Sequence, residues 1–269
     1  MRSAVFAALL LAACRQRASE TTFDGAQVTE AAAVKSHGER LTYVLGCRGC
    51  HGKDLAGTFF TKDQPQYGPL YASNLTVEVP EYSDAQLDGI IRHGIHPERK
   101  TVWGMPSEIF QNLNDTDYQA LTAYLRTLKP VGKKLPPPQF SVQDRKDIAS
   151  GLYQPAVQRV ANFKRKQPVD LGPRYALGRY VASVSCEECH GSDLGGVSVG
   201  PEKTPDLIVV GGYTRPGFEK LITQGVPTPA RKLNPMMYYV AIGRFTRLTP
   251  HERDALYAYL KARADRLSR

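Results

Sequence analysis

The sequence has few residues of the kinds on which several protein classes depend. Its 269 residues include only five cysteines, four methionines and one tryptophan. No stretch reaches the roughly 20 consecutive apolar residues that a membrane-spanning helix needs. We find no Ser-His-Asp order, phosphate-binding loop or carboxylate pair that would indicate a hydrolase or a nucleotide-dependent enzyme. The formal net charge of +9 favours acidic partner surfaces, and we expect no nucleic-acid partner.

The first fourteen residues, "MRSAVFAALLLAAC", form a separate segment. Arg2 gives a positive start, and the apolar run that follows is too short to span a bilayer. Its end, "LAAC", resembles the lipobox of bacterial lipoproteins. The resemblance implies a signal peptide over residues 1–13, acylation of Cys14 and a tether over residues 14–35. A plain secretory signal is the alternative. We therefore expect an exported protein on the periplasmic side of a bacterial membrane, anchored by lipid on Cys14.

The other four cysteines occur in one short pattern that is present twice. "GCRGCHGKDLAG" covers residues 46–57, and "SCEECHGSDLGG" covers residues 185–196. C-x-x-C-H is the attachment signature of c-type haem. Two cysteines three residues apart share one face of a helical turn, so both sulfurs can reach the vinyl groups of one porphyrin, and the next histidine can bind its iron. The pattern predicts two haem c groups, held by Cys47, Cys50 and His51 and by Cys186, Cys189 and His190.

Three other uses of these cysteines are less consistent with the pattern. A zinc site would need C-x-x-C pairs much closer together or paired histidines, and neither occurs. A thioredoxin-like redox pair would need a surrounding βαβ pattern, which we do not find. Disulfides within each C-x-x-C would leave the shared histidine unexplained. Haem attachment accounts for the two cysteines and the histidine of both motifs.

The repeat extends well beyond the cysteines. "GPLYASNLT" (68–76) matches "GPEKTPDLI" (200–208), and "ALTAYL" (120–125) matches "ALYAYL" (255–260). Similar offsets between matched segments indicate two copies of one domain of about a hundred residues. Each copy resembles a small class I cytochrome c domain, and the whole resembles exported dihaem c-type cytochromes. The resemblance implies an all-α fold of two tandem domains, residues 36–130 and 174–265, joined by a partly ordered linker over residues 131–173.

Helix signals support this fold independently. "LTPHERDALYAYL" places Thr249 as N-cap, Pro250 at the first helical position and Glu252 in a capping box. Asn114 and Asp117 hold the equivalent positions in the first copy. The resemblance implies that each such helix crosses an N-terminal helix that runs into C-x-x-C-H.

The sixth iron ligand decides the function, because a Met/His pair produces an electron carrier whereas an open face permits substrate chemistry. Met105, in "GMP", resembles the family's distal methionine. In "NPMMYYVAIGRF" both Met236 and Met237 are candidates; most repeat offsets favour Met237, and one favours Met236. His93 and His96 are alternative ligands.

The resemblance also implies that carbonyl groups of Pro69 and Pro201 hold the two proximal imidazoles. With both irons ligated, we predict electron transfer rather than catalysis. The donor would be an exported or membrane-bound dehydrogenase or respiratory complex, and the acceptor an oxidase or cytochrome. The alternatives are the cytochrome subunit of a dehydrogenase complex, and a dihaem enzyme of the peroxidase or thiosulfate dehydrogenase type.

Overall fold

A computed structural model describes residues 21–163, 167–199 and 202–269. The predicted signal peptide, Cys14 and Pro201 lie outside these ranges. Within them, the first copy contains one two-stranded antiparallel hairpin, β1 (Thr58–Phe59) and β2 (Tyr71–Ala72). The helices of this copy are α1 (Ala31–Val44), α2 (Cys47–His51), α3 (Leu75–Glu78), α4 (Asp84–His93), α5 (Ser107–Phe110) and α6 (Asp115–Leu125).

The remaining elements form the predicted linker and the second copy. Two further helices, α7 (Val142–Ala149) and α8 (Ala156–Asn162), lie between the copies. The second copy has one antiparallel hairpin, β3 (Ser198–Val199) and β4 (Glu202–Lys203). Its helices are α9 (Ala176–Ser185), α10 (Glu187–His190), α11 (Arg215–Gln224), α12 (Pro235–Gly243) and α13 (Pro250–Leu267). The predicted all-α class is confirmed, with these hairpins as its only strands in the described ranges. No helix there is both long and apolar enough to cross a bilayer.

The first and last helices of each copy cross with their backbones almost in contact. A Cβ added to Gly38 of α1 would lie 2.0 Å from the carbonyl oxygen of Ala120 in α6. A Cβ added to Gly178 of α9 would lie 2.1 Å from the carbonyl oxygen of Ala255 in α13. Only glycine permits so close an approach, because it has no Cβ. Both copies have a glycine at this point of the crossing. The predicted helix crossing is therefore present twice.

The predicted helix starts are confirmed in part. Thr249 and Glu252 form a complete capping box at the start of α13. Asn114 caps α6 by accepting from the backbone N–H of Asp117 at 2.9 Å. The Asp117 carboxylate does not accept from the Asn114 backbone N–H, so no capping box forms. This carboxylate is fully buried, and it accepts from the Asn114 side-chain amide at 3.2 Å and from the Tyr180 hydroxyl at 2.8 Å. Because Tyr180 belongs to α9, the cap region of the first copy also ties the two copies together.

Part of the predicted tether packs on this interface. The Phe23 side chain is 1% exposed, and its ring centroid lies 5.3 Å from that of Tyr180. The Phe23 backbone N–H donates to the Asp117 carboxylate at 3.0 Å. Nearby, the Arg40 guanidinium of α1 pairs with Glu252 of α13 at 2.8 Å. The described part of residues 14–35 is thus docked, and the two copies contact each other directly.

The predicted linker contributes to the first copy. Asp144 of α7 accepts from the backbone N–H of Gly68 at 2.7 Å. Ala156, at the start of α8, donates its backbone N–H to the carbonyl oxygen of Val102 at 2.9 Å. The Phe140 ring lies 4.8 Å from the Trp103 ring. Within the described ranges, residues 131–173 therefore form one wall of the first copy as well as a connection to the second.

Candidate haem sites

The first C-x-x-C-H motif lies at the edge of a partly open, largely apolar cavity. The chain leaves α1 and turns at Gly46, whose φ is 79°, directly into α2. This turn places Cys47, Cys50 and His51 on the wall of a cavity of about 270 Å³. Met105 lies on the same wall, among apolar side chains such as Leu75, Val79, Leu87, Ile91, Phe110 and Leu121. The first motif and Met105, which are far apart in the sequence, thus meet at one site.

The His51 imidazole has the tautomer and the protonation state that metal coordination requires. Its Nδ1 donates to the backbone carbonyl oxygen of Ser73 at 2.8 Å. Because a carbonyl oxygen only accepts, the proton resides on Nδ1 and the lone pair on Nε2. Burial lowers the pKa of His51, the Ser73 hydrogen bond only partly opposing it, so the ring is neutral. A neutral, oriented imidazole is the form that coordinates iron.

The second copy repeats this arrangement and corrects the predicted carbonyl partners. His190 Nδ1 donates to the carbonyl oxygen of Pro205 at 2.9 Å, and burial lowers the pKa of His190. Pro69 was the predicted acceptor in the first copy, but its carbonyl accepts from the Gln139 N–H at 3.0 Å instead. Ser73 follows Pro69 by four residues, as Pro205 follows Pro201. The acceptor is therefore the residue at this later position, where the loop returns past the imidazole.

Cys47, Cys50 and Cys186 are free thiols in the structure. Burial raises the pKa of Cys47 to about 11 and that of Cys186 to about 12, so both sulfurs are protonated and uncharged near pH 7. No group of three or more His, Cys, Asp or Glu side chains in the described part of the chain could hold a metal ion. Neither C-x-x-C motif of the described ranges therefore forms an internal disulfide.

The methionines differ in their surroundings. Met105 packs against the core, and its carbonyl oxygen accepts from the Arg159 guanidinium of α8. In the second copy, Met236 is 63% exposed, whereas Met237 is half-buried and packs against the core. A side chain directed into the core can reach a buried cofactor, so these positions favour Met237 over Met236. The sixth ligands remain predictions.

A polar cluster on the cavity wall was not predicted as such. His96 is 2% exposed; its Nε2 lies 2.6 Å from Arg99 Nη2 and 3.2 Å from the Tyr82 hydroxyl. Burial lowers the pKa of His96 to about 4, so its ring is neutral. Arg99 also lies 3.6 Å from Glu78, which lines the same cavity. By contrast, His93 is exposed and contacts Asp88 at 3.2 Å. Only His96 of these two histidines lines the cavity.

The residues present fit a covalently attached haem. Two thiols and a neutral imidazole come from one helical turn, a thioether lies on the same cavity wall, and most of the lining is apolar. Cys47, Cys50, His51 and Met105 would hold the group in the first copy; Cys186, Cys189, His190 and Met237 would hold it in the second. A haem in such a setting supplies a reversible one-electron iron couple.

The first copy also matches a known protein family. Residues 35–125 match the family described as cytochrome c oxidase, cbb3-type, subunit III. The first copy is therefore similar to a cytochrome c domain. The match covers most of α1 and all of α2 to α6, including the C-x-x-C-H motif and Met105 of that copy.

Three relatives extend the comparison beyond the first copy. A nicotinate dehydrogenase subunit of Pseudomonas putida is 31% identical over 186 residues, 62% of this chain and 15% of that protein. The fructose dehydrogenase cytochrome subunit of Gluconobacter japonicus is 24% identical over 266 residues, 87% of this chain and 53% of that protein. A dihaem cytochrome c-type protein of Cereibacter sphaeroides is 27% identical over 181 residues, covering 58% of this chain and 56% of that protein.

This chain spans little more than half the length of two of these relatives, and much less of the first. Two of the three are named as cytochromes or cytochrome subunits. These names, like that of the matched family, belong to cytochromes or to subunits of oxidoreductases.

Proposed function

We propose that the chain is a dihaem electron carrier, with one haem c in each copy and His/Met ligation of both irons. The observation that carries this proposal is the cavity of the first copy, on which Cys47, Cys50, His51 and Met105 converge. The second copy supports the count of two, because its C-x-x-C-H motif and its oriented His190 imidazole follow the same plan. A carrier needs filled coordination positions, and the chain offers one suitable methionine to each site.

The chain's own residues supply binding, orientation and exclusion of water. The cysteines would attach the group covalently, and Ser73 and Pro205 fix the tautomer and direction of the two imidazoles. The apolar lining of the cavity lowers the local dielectric constant and keeps bulk water from the metal. Such a site favours a small change in structure between oxidation states, which suits electron exchange with a partner protein.

The partner class we propose is a dehydrogenase on the periplasmic side of a bacterial membrane, with a respiratory oxidase or cytochrome as acceptor. Support comes from two of the named relatives, one a fructose dehydrogenase cytochrome subunit and one a nicotinate dehydrogenase subunit. A permanent cytochrome subunit of such a complex is the second form of the same proposal. The lipobox-like "LAAC" supports periplasmic location and lipid attachment through Cys14.

A redox titration of the haem-loaded, full-length protein tests the proposal. We expect two reversible one-electron steps, a weak red absorption band of iron–thioether bonding when oxidised, and slow or absent carbon monoxide binding when reduced. Rapid carbon monoxide binding by the wild-type protein together with peroxide turnover would support the dihaem enzyme instead. Thiosulfate turnover under the same conditions would equally contradict a simple carrier.

A further inference from the structure

Arg244 lies between the haem-attachment motifs of the two copies. It follows α12 in the second copy, and its Nη1 donates to Glu188 Oε2 at 2.8 Å. Glu188 is the residue between the cysteines of the second motif that directly precedes Cys189. The guanidinium also covers Gly46, which directly precedes Cys47 of the first motif: a Cβ there would lie 2.2 Å from the guanidinium carbon. One side chain thus contacts both motifs.

The Arg244 charge is held in a largely desolvated place. Its side chain is 17% exposed, and both Arg244 and Glu188 line the cavity of the first copy beside Cys50 and His51. The arginine's electrostatic partners include Cys50 of one motif and Cys189 of the other. A charge that lies beside both attachment motifs would influence the groups that they hold.

The sign of the effect follows from electrostatics. Arginine stays protonated at every accessible pH, so its positive charge is fixed. Glu188 is the carboxylate paired with it, and at 32% side-chain exposure Glu188 is better screened by water than the guanidinium is. A fixed positive charge in a low-dielectric site stabilises the redox state that carries one more electron. Its removal therefore favours oxidation of a nearby centre.

We propose that the positive charge of Arg244 raises the reduction potentials of both haem sites, and that the negative charge of Glu188 opposes this effect. The inference rests on the proposed dihaem function, and it adds that the two centres are tuned together by one charge at the interface between the copies. Residues 1–163 alone would lack this charge. An arginine outside both motifs thus belongs to both sites.

The test is a spectroelectrochemical titration of the haem-loaded, full-length chain. In Arg244→Gln we expect both midpoint potentials to fall, each by about a tenfold change in the redox equilibrium, or ~59 mV for a one-electron couple. Arg244→Lys keeps the charge and should hold both potentials close to wild type. Glu188→Gln removes the opposing charge and should raise both potentials.

The matched control is Arg247→Gln. Arg247 lies three residues further on, is exposed, and stacks on Tyr43 at 4.3 Å, so its loss should change both potentials much less. Unchanged potentials in Arg244→Gln, or a shift at one haem only, would overturn the inference. If Arg244→Gln fails to bind haem, the Glu188→Gln variant provides the test. A fall in its two midpoint potentials, or no change in them, would contradict the inference. Failure of the proposed dihaem function would be distinguishable from failure of this inference, because the wild-type protein would then lack two reversible one-electron steps in the titration.

Discussion

Replacing Met105 by alanine is expected to make one haem of the reduced protein bind carbon monoxide rapidly. Apart from the attachment cysteines, Met105 carries the only sulfur among the described residues that line this cavity. Its removal leaves the iron held from the His51 side only, and the midpoint potential of that haem should fall because Met/His ligation raises it. Stopped-flow carbon monoxide binding and a redox titration measure both effects.

Two further methionines provide matched comparisons. Met237→Ala is expected to produce the same change at the second haem, since Met237 packs against the core. Met236→Ala should leave both haems as in wild type, because its side chain is 63% exposed. If Met105→Ala retains the red absorption band at both centres and excludes carbon monoxide, another residue is the ligand, and His96 on the same cavity wall is the first to examine.

The second large effect is on stability. In an ordinary helix, Gly→Ala is favourable by about 0.5–1 kcal/mol. At Gly38 the added methyl group would meet the backbone carbonyl of Ala120 and the Cβ of Tyr124, neither of which can move away without separating the helices. We therefore expect Gly38→Ala to lower the free energy of unfolding by roughly 1–3 kcal/mol, as overpacking does.

Denaturant unfolding of the haem-loaded protein, followed by circular dichroism, measures this effect. Gly178→Ala should behave alike in the second copy, where the obstacles are Ala255 and Tyr259. Gly243→Ala is the matched control, because a Cβ there meets nothing within 4 Å, and it should cause no loss. Equal stabilities for Gly38→Ala and Gly243→Ala would show that the helices can separate, contrary to the described crossing.

Features set by local sequence could be predicted well. The C-x-x-C-H turn and the Thr249 cap depend on a few neighbouring residues. The crossing of the first and last helices was implied by the resemblance of each copy to a cytochrome c domain. The acceptor of the His51 proton could not be predicted in the same way. It depends on where the chain leaving β2 passes the imidazole, and so the resemblance to the family selected Pro69 where the structure has Ser73.

Contacts between distant segments were the other source of error. His37 of α1 is buried, and its Nε2 lies 2.7 Å from the carboxylate of Asp117, which is far along the chain. The wall built from α7 and α8 and the pair between Arg244 and Glu188 likewise join segments with no common pattern. Periodicity and spacing describe one element at a time, whereas these contacts depend on how the elements pack.

The haem content of the matured, full-length protein after denaturation tests the assignment of both motifs most directly. We predict two covalently attached haems per wild-type chain by pyridine haemochrome and mass spectrometry. The double variants Cys47→Ser/Cys50→Ser and Cys186→Ser/Cys189→Ser should each retain one. Fewer than two haems in wild type, or haem that is released by acid extraction, would contradict the assignment.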